Sequence, residues 1–140
     1  MPTWILYALA SMFFAGLTSV IAKFGLKNVS GDLGLAIRTT MVFVLIWINA
    51  IAFKHTSQLS NFTKKDIIFL CISGITTTLS WIFYYRAIKI GDVSVVASID
   101  KASLVITIIL AFFFLKEPFT PKVLIGAGLI TAGTLVLVFK

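Results

Sequence analysis

Residues 94–118 read SVVASIDKASLVITIILAFFFLKEP, and this stretch decides the fold class. Its second half is an uncharged apolar run, and at about 1.5 Å per residue a helix of this length matches a hydrocarbon layer of about 30 Å. Lipid offers no hydrogen bonds to an unpaired backbone, and the alternating pattern of a barrel strand is absent. The stretch is therefore predicted to form a transmembrane helix.

Similar apolar segments occupy most of the remaining chain. Of the 140 residues, 59% are hydrophobic and 12% are charged, against roughly 25% charged residues in soluble domains. The composition indicates an all-α integral membrane protein with a single domain over residues 1–140 and five transmembrane helices. We place these helices at about residues 4–24, 33–53, 66–88, 94–115 and 121–139.

The connections between these segments contain helix start signals. Ser30 or Asp32 can cap the second helix. Thr63 and Asp66 have the spacing of a capping box at the start of the third. Thr120 can cap the fifth helix. In that fifth helix, Gly128 and Ala132 are spaced by four residues, which predicts close packing against another helix.

The net charge of +7 comes from basic residues at helix ends and in short loops. Anionic lipid headgroups are therefore the expected partner, and nucleic acid is not expected. Lysine and arginine counts on the two sides favour opposite orientations, depending on whether cations within the spans are counted. Two alternatives remain: one fixed orientation, or insertion in both orientations with pairing of inverted copies.

An Asp-Lys pair lies within the fourth predicted helix. Asp100 is about 9 Å past Ser94, and an acid at this depth must face protein or water, or bind a proton. Lys101 is turned about 100° away on a regular helix, so we do not expect it to face Asp100. It can instead extend toward the surface. Asp100 is either half of a structural ion pair or a substrate or proton site, and Ser103 and Thr107 share its stripe.

The charge partner of Asp100 has several candidates on the same predicted side of the membrane. Our preferred candidates are Arg86 and Lys101. The full set is Lys23, Arg38, Arg86 and Lys101.

The third predicted helix carries a weakly polar stripe flanked by aromatic residues. Such a face can line a cavity for an amphipathic organic molecule. Alternatively, the hydroxyls bond to carbonyls of their own helix and the aromatic rings form an interfacial belt. The residues concerned are Ser73, Thr77, Ser80 and Tyr84, with Trp81 and Tyr85 beside them.

The sequence contains no recognisable catalytic or metal-binding motif. Its one histidine, His55, falls in a polar loop, and its one cysteine, Cys71, falls inside the third predicted helix. We therefore expect no enzyme activity, no metal and no cofactor.

Four stretches of the chain resemble the EamA domain of the drug/metabolite transporter superfamily. They are VIAKFGLKN (20–28), AIRTTMVF (36–43), SWIFYYRAIKIGDVS (80–94), and residues 97–138, where an apolar helix closes on LKEP before a glycine-rich helix. Most members resemble two five-helix units in inverted orientation, so the resemblance implies that this chain is a half-transporter unit. It implies an antiparallel homodimer, or pairing with a related short subunit, in the cytoplasmic membrane.

The resemblance implies a multi-pass transporter of small organic metabolites or drugs that works by alternating access. Two other functions stay open: a non-transporting accessory subunit, and a flippase for a lipid-linked intermediate. The candidate substrate- or proton-binding residues are Asp100, Lys101, Arg86, Ser103, Thr107, Ser80, Tyr84, Trp81 and Tyr85.

Overall fold

The structure is a computed structural model that describes residues 2–138. Within that range, five helical segments are long and apolar enough to span a membrane: Thr3–Gly25, Gly31–Ala52, Lys64–Ile90, Val93–Leu115 and Pro121–Val138. The predicted all-α fold with five transmembrane helices is confirmed. The predicted end of the fifth helix at Phe139 lies outside the described residues, and the single domain over residues 1–140 stays a prediction.

The fourth predicted helix is divided in the structure. In chain order the helices are α1 (Thr3–Gly25), α2 (Gly31–Ala52), α3 (Lys64–Ile90), α4 (Val93–Lys101), α5 (Ser103–Leu110) and α6 (Pro121–Val138). A 3-10 helix (His55–Asn61) follows α2, and a π-helical turn (Ala111–Leu115) follows α5. Residues 21–90 form one compact unit, and the described residues before 21 and after 90 form another.

The predicted helix caps are confirmed. Ser30 Oγ accepts a hydrogen bond from the first turn of α2 at 3.2 Å. Thr63 and Asp66 form a reciprocal capping box, because each backbone N–H donates to the other side chain, at 3.0 and 3.3 Å. Thr120 Oγ1 accepts from the first turn of α6 at 3.4 Å. These bonds satisfy N–H groups that a helix start leaves without internal partners.

In the unit formed by residues 21–90, α2 packs against α3. At the start of α2, a Cβ added to Gly31 would lie 2.8 Å from the carbonyl oxygen of Tyr85. The missing side chain lets the two backbones meet closely, which is how helices associate in lipid. The buried apolar side chains of this unit are Leu26, Leu35, Tyr85 and Ile88.

Two lysines join the ends of α1 and α3 in the same unit. Lys23 Nζ donates to the carbonyls of Ile88 and Lys89, at 2.6 and 3.3 Å. Lys89 Nζ donates to the carbonyls of Leu26 and Lys27, the second at 2.9 Å. Carbonyls at a helix end lack internal donors and carry partial negative charge. Lys23 therefore satisfies carbonyls at the end of α3, and Lys89 satisfies carbonyls just past the end of α1.

In the other unit, α6 packs against α4 and α5. Thr134 of α6 is buried, with 8% of its surface exposed. The prediction that α6 packs closely against another helix at Gly128 is wrong for helices of this chain. A Cβ added to Gly128 would meet no described atom within 4 Å. The reason is rotational: Gly128 lies about 120° around the helix from Thr134, the residue through which α6 contacts α4.

Candidate functional site

The backbone hydrogen-bond ladder of the fourth span is interrupted next to Asp100. The N–H of Ala102 donates to the carbonyl of Ile99, at 3.0 Å, three residues back instead of four. The carbonyl that a regular helix would offer, that of Ser98, accepts the hydroxyl of Thr134 at 3.1 Å. A side chain that inserts into the ladder is a recognised cause of helix kinks. The break therefore accompanies the packing of α6, in a segment without proline or glycine.

Asp100 contacts the lysine that follows it. Lys101 Nζ lies 3.4 Å from Asp100 Oδ2. The expectation that these side chains do not face each other is wrong, because α4 ends at Lys101 and its long side chain folds back to the carboxylate. The exposed fraction is 39% for the Asp100 side chain and 66% for that of Lys101. The lysine occupies one of several acceptor positions of the carboxylate, which can therefore bind a further partner.

Ser103 and Thr107 follow the break on α5. Thr107 Oγ1 donates to the carbonyl of Ser103 at 3.1 Å, so its hydroxyl is satisfied within its own helix. Both residues are exposed at the surface of the chain. The structure thus brings Asp100 and Lys101 together, and places Ser103 immediately beyond the break.

Arg86, in the unit of residues 21–90, forms a bidentate ion pair. Its Nε and Nη2 donate to the two carboxylate oxygens of Asp32, at 2.8 and 2.9 Å. Ser30 fills the capping role at the start of α2, so the carboxylate of Asp32 is available to the arginine. The parallel fork geometry makes this the strongest type of charge pair between side chains. Arg86 is therefore engaged by an acid of its own unit, and its role in binding stays a prediction.

An arginine and three aromatic residues meet on the same pair of helices. Arg38 Cζ lies 4.4 Å from the ring centroid of Trp81 and 5.8 Å from that of Tyr85. Tyr84 and Tyr85 contact edge to face, with centroids 6.3 Å apart. Tyr85 is 4% exposed, and its hydroxyl has no hydrogen-bond partner within the described part of the chain. We call Arg38, Trp81 and Tyr85 the Arg38 cluster.

The hydroxyl of Thr77 in the α3 stripe, and those of its neighbours Thr76 and Thr78, are satisfied locally. Thr76 and Thr77 both donate to the carbonyl of Ser73, at 2.9 and 2.8 Å. Thr78 donates to the carbonyl of Gly74 at 2.8 Å. Among the stripe residues, Thr77 therefore follows the alternative of hydrogen bonding within its own helix. Ser80 is exposed.

A cavity of about 400 Å³ lies between the end of α2 and the 3-10 helix. Its lining is mostly apolar, with His55, Thr56 and Gln58 at its polar positions. It does not include any predicted site residue. The lining residues are Ile46, Trp47, Ala50, His55, Thr56, Gln58, Leu59 and Phe62.

Three residues of these arrangements were assigned other roles, or none, from the sequence. The sequence indicates Asp32 only as a cap; the signal for its pairing with Arg86 is that antiparallel packing of α2 and α3 brings the start of α2 beside the end of α3. Arg38 was considered only as a partner of Asp100. Nothing in the sequence singles out Thr134, because its role depends on which face of α6 meets α4.

Comparison with known proteins places these helices in a family. The sequence model described as the EamA-like transporter family matches residues 2–139. The chain belongs to the EamA-like transporter family. A protein from Sinorhizobium sp, described as an uncharacterized transporter in the cobO 3′ region, is 36% identical over 135 residues, which cover 96% of each chain. No solved structure matches the chain.

Membership of the EamA-like family confirms the resemblance drawn from the sequence. Together with the five apolar helices, it makes the protein a multi-pass membrane transporter.

Proposed function

We propose that this EamA-like transporter moves small organic metabolites or drugs across the cytoplasmic membrane by alternating access. One observation carries the proposal: the fourth span is interrupted at Ala102, directly beside Asp100. Secondary transporters typically build their binding sites beside interruptions in membrane helices, where a charged side chain can reach the substrate. Ionisable residues at such positions are costly in lipid and usually functional.

Asp100 is the residue best suited to bind substrate or a proton. Its carboxylate is partly exposed and held by one lysine contact of 3.4 Å. A cationic group of a substrate, or a proton, can displace Lys101 without leaving a buried charge unpaired, because the lysine extends to the surface. Ser103, directly after the break, is positioned to contribute a hydroxyl to the same site.

The aromatic residues of α3 are proposed to line the substrate pathway. Trp81 and Tyr84 are half-buried; the Trp81 ring lies beside Arg38, and the Tyr84 ring lies beside that of Tyr85. Ring faces bind the apolar part of an amphipathic molecule, and their polar edges orient it. Ser80 and Arg86 are proposed to lie along the same pathway.

The functional assembly is proposed to be an antiparallel homodimer, or a pair with a related short subunit. Inverted repeats in transporters place the binding site at their interface, and one five-helix unit supplies half of such an arrangement. The ambiguous distribution of lysine and arginine between the two sides is compatible with insertion in both orientations.

Transport by purified protein in proteoliposomes tests the function. Efflux of a panel of radiolabelled small organic compounds is measured for the native chain, for Asp100→Asn, and for the matched control Asp92→Asn. Asp92 precedes α4 and its side chain makes no capping hydrogen bond. We expect Asp100→Asn to lower the rate by about tenfold or more, as for loss of one charge-assisted contact, and Asp92→Asn to transport normally.

Equal transport by Asp100→Asn and the native chain would remove Asp100 from the mechanism. If no compound moves and no labelled lipid crosses the bilayer, the accessory-subunit alternative is favoured. Movement of labelled lipid alone favours the flippase alternative.

Accessibility labelling tests the antiparallel homodimer. Cys71→Ser provides a cysteine-free background, and single cysteines replace Asn28 in the α1–α2 connection and Thr56 in the α2–α3 connection. A membrane-impermeant maleimide should label part of each population from outside intact cells. Exclusive labelling of one position only would show a fixed orientation and contradict the homodimer.

A further inference from the structure

The two arginines of the chain differ in how their charge is satisfied. Arg86 is bound by Asp32 through two hydrogen bonds. Arg38 has ring contacts alone; within residues 2–138 it makes no ion pair and no hydrogen bond. The only other acid in its unit is Asp66, which is bound to Thr63 at the start of α3. Arg38 is therefore a cation without a counter-charge in its own unit.

The contact with Trp81 fixes Arg38 without using its hydrogen-bond donors. A cation over an aromatic ring is attracted by the ring face, while guanidinium carries five N–H groups that need acceptors. Arg38 is half-buried, so these groups are partly removed from solvent. Trp81 and Tyr85 lie nine and five residues before the end of α3 at Ile90, or roughly 14 and 8 Å along the helix. A cation that contacts a membrane-spanning helix more than one turn from its end is costly without a partner.

Tyr85 supplies a second and independent sign of a missing partner. Its ring lies 5.8 Å from Arg38 Cζ, and the residue is 4% exposed. Its buried hydroxyl is unpaired within the described residues. Buried polar atoms in native proteins almost always have a partner, so an unpaired one commonly marks a site for water, an ion or a ligand.

Snorkelling explains only part of this arrangement. Helical side chains lean toward the start of their helix, and a long arginine side chain extends toward the nearer surface. That tendency accounts for the direction of Arg38. It does not explain why the hydroxyl of Tyr85, an uncharged group buried in the same cluster, lacks a hydrogen-bond partner within the described residues.

We propose that the Arg38 cluster binds an oxyanion, the carboxylate or phosphate group of an organic molecule. The guanidinium fork pairs with two oxygens of such a group, as Arg86 does with Asp32, and the Tyr85 hydroxyl adds a donor. The ring faces of Trp81 and Tyr84 receive the apolar body of the molecule. The inference rests on the proposed function in assigning the oxyanion to a transported solute, since a lipid phosphate has the same chemistry.

Equilibrium binding followed by tryptophan emission tests this site without requiring transport. Trp4→Phe with Trp47→Phe leaves Trp81 as the reporter beside Arg38. Protein in phosphatidylcholine vesicles is titrated with benzoate, with inorganic phosphate, and with benzamide, the neutral counterpart of benzoate. We expect a saturable emission change with benzoate or phosphate and none with benzamide. This comparison needs no variant at the site itself.

Variants of the cluster define which groups bind. Arg38→Gln should weaken binding about tenfold or more, and Tyr85→Phe severalfold, as for loss of a charged and a neutral hydrogen bond respectively. Arg38→Lys keeps the charge but not the fork, and should bind with intermediate affinity. Lys122→Gln, an exposed cation at the start of α6, is the matched control and should bind as the reporter chain does.

A second arm of the binding experiment distinguishes a solute from a lipid headgroup as the source of the oxyanion. Replacing part of the phosphatidylcholine with phosphatidylglycerol, without added solute, should change Trp81 emission in an Arg38-dependent way only if a lipid headgroup occupies the cluster. An Arg38-dependent response in either arm supports the oxyanion site, and the arm that responds identifies the source. No response in either arm, a response equal in Arg38→Gln, or an equal response to benzamide overturns the proposal, whatever the result of the Asp100 transport assay.

Discussion

The hydroxyl of Thr134 on α6 donates a hydrogen bond to the carbonyl of Ser98. In a regular helix that carbonyl would accept the N–H of Ala102, which donates to Ile99 instead. The same hydroxyl lies 2.9 Å from the carbonyl of Ile130 in its own helix. The single hydroxyl proton is shared between these two carbonyls, so the bond to Ser98 can break while the hydroxyl still donates to Ile130. The interruption beside Asp100 is thus tied to one side-chain contact between α4 and α6.

Thr134→Val tests whether that contact maintains the break. Valine keeps the branched shape but cannot donate, so the carbonyl of Ser98 becomes available to Ala102 and the two helices should merge. For a bond worth about 1 kcal/mol, we expect roughly fivefold slower amide exchange at Ala102. Hydrogen–deuterium exchange measures this directly. Thr131→Val is the matched control, because its hydroxyl donates only within α6, to Ala127 at 2.8 Å; equal effects of the two variants would contradict a specific role.

The Asp32–Arg86 pair should behave as one energetic unit. Asp32→Asn and Arg86→Gln should each lower the melting temperature, and the double variant should lower it no further, since either change alone already breaks the pair. Exchange of the two residues, Asp32→Arg with Arg86→Asp, should recover part of the loss. Thermal unfolding in detergent measures the melting temperature of the native chain and of all four variants. Additive effects of the single variants would show that the two side chains act independently.

The lysines that join α1 and α3 should stabilise the unit of residues 21–90. Lys23→Met and Lys89→Met keep much of the side-chain length and remove the donors, which leaves helix-end carbonyls unpaired. We expect each to lower the free energy of unfolding by about 1–3 kcal/mol. Lys122→Met serves as the control, because that lysine lies at the start of a helix, where a cation is unfavourable. Denaturant unfolding in micelles should rank the control above both variants in stability.

Gly31→Ala should separate α2 from α3. The added methyl group would lie 2.8 Å from a backbone carbonyl, which cannot move as a flexible side chain can. We expect a loss of about 1–3 kcal/mol, typical of overpacking. Gly74→Ala is the matched control on α3, where an added Cβ meets no described atom within 4 Å. It should be neutral or stabilising, because alanine favours helix over glycine; equal losses in both variants would exclude the close approach at Gly31.

The fold could be predicted from the sequence because each membrane span must satisfy its backbone hydrogen bonds internally in lipid. Length and apolarity alone then locate five helices, and local side-chain chemistry locates the caps at Ser30, Thr63 and Thr120. These are short-range effects, determined by residues at most a few positions apart. They do not depend on which helices pack together.

The candidate site was harder to predict from the sequence, because its geometry depends on which helix faces meet. The contact of Lys101 with Asp100 forms where α4 ends, and that end accompanies a hydroxyl from Thr134, far along the chain. The Arg38 cluster likewise depends on the close approach of α2 to α3 at Gly31. Spacing on an isolated helix cannot show either contact. It did identify Trp81 and Tyr85 as candidates, by their position beside a polar stripe.

Solute exchange across a membrane tests alternating access through Asp100 most directly. Proteoliposomes are loaded with a high concentration of an unlabelled transported compound and diluted into a trace of the labelled compound. We predict transient uptake of label driven by exchange, lost in Asp100→Asn and retained in Asp92→Asn. Label that only equilibrates passively, or exchange that is equally fast in Asp100→Asn, would contradict a carrier that uses Asp100.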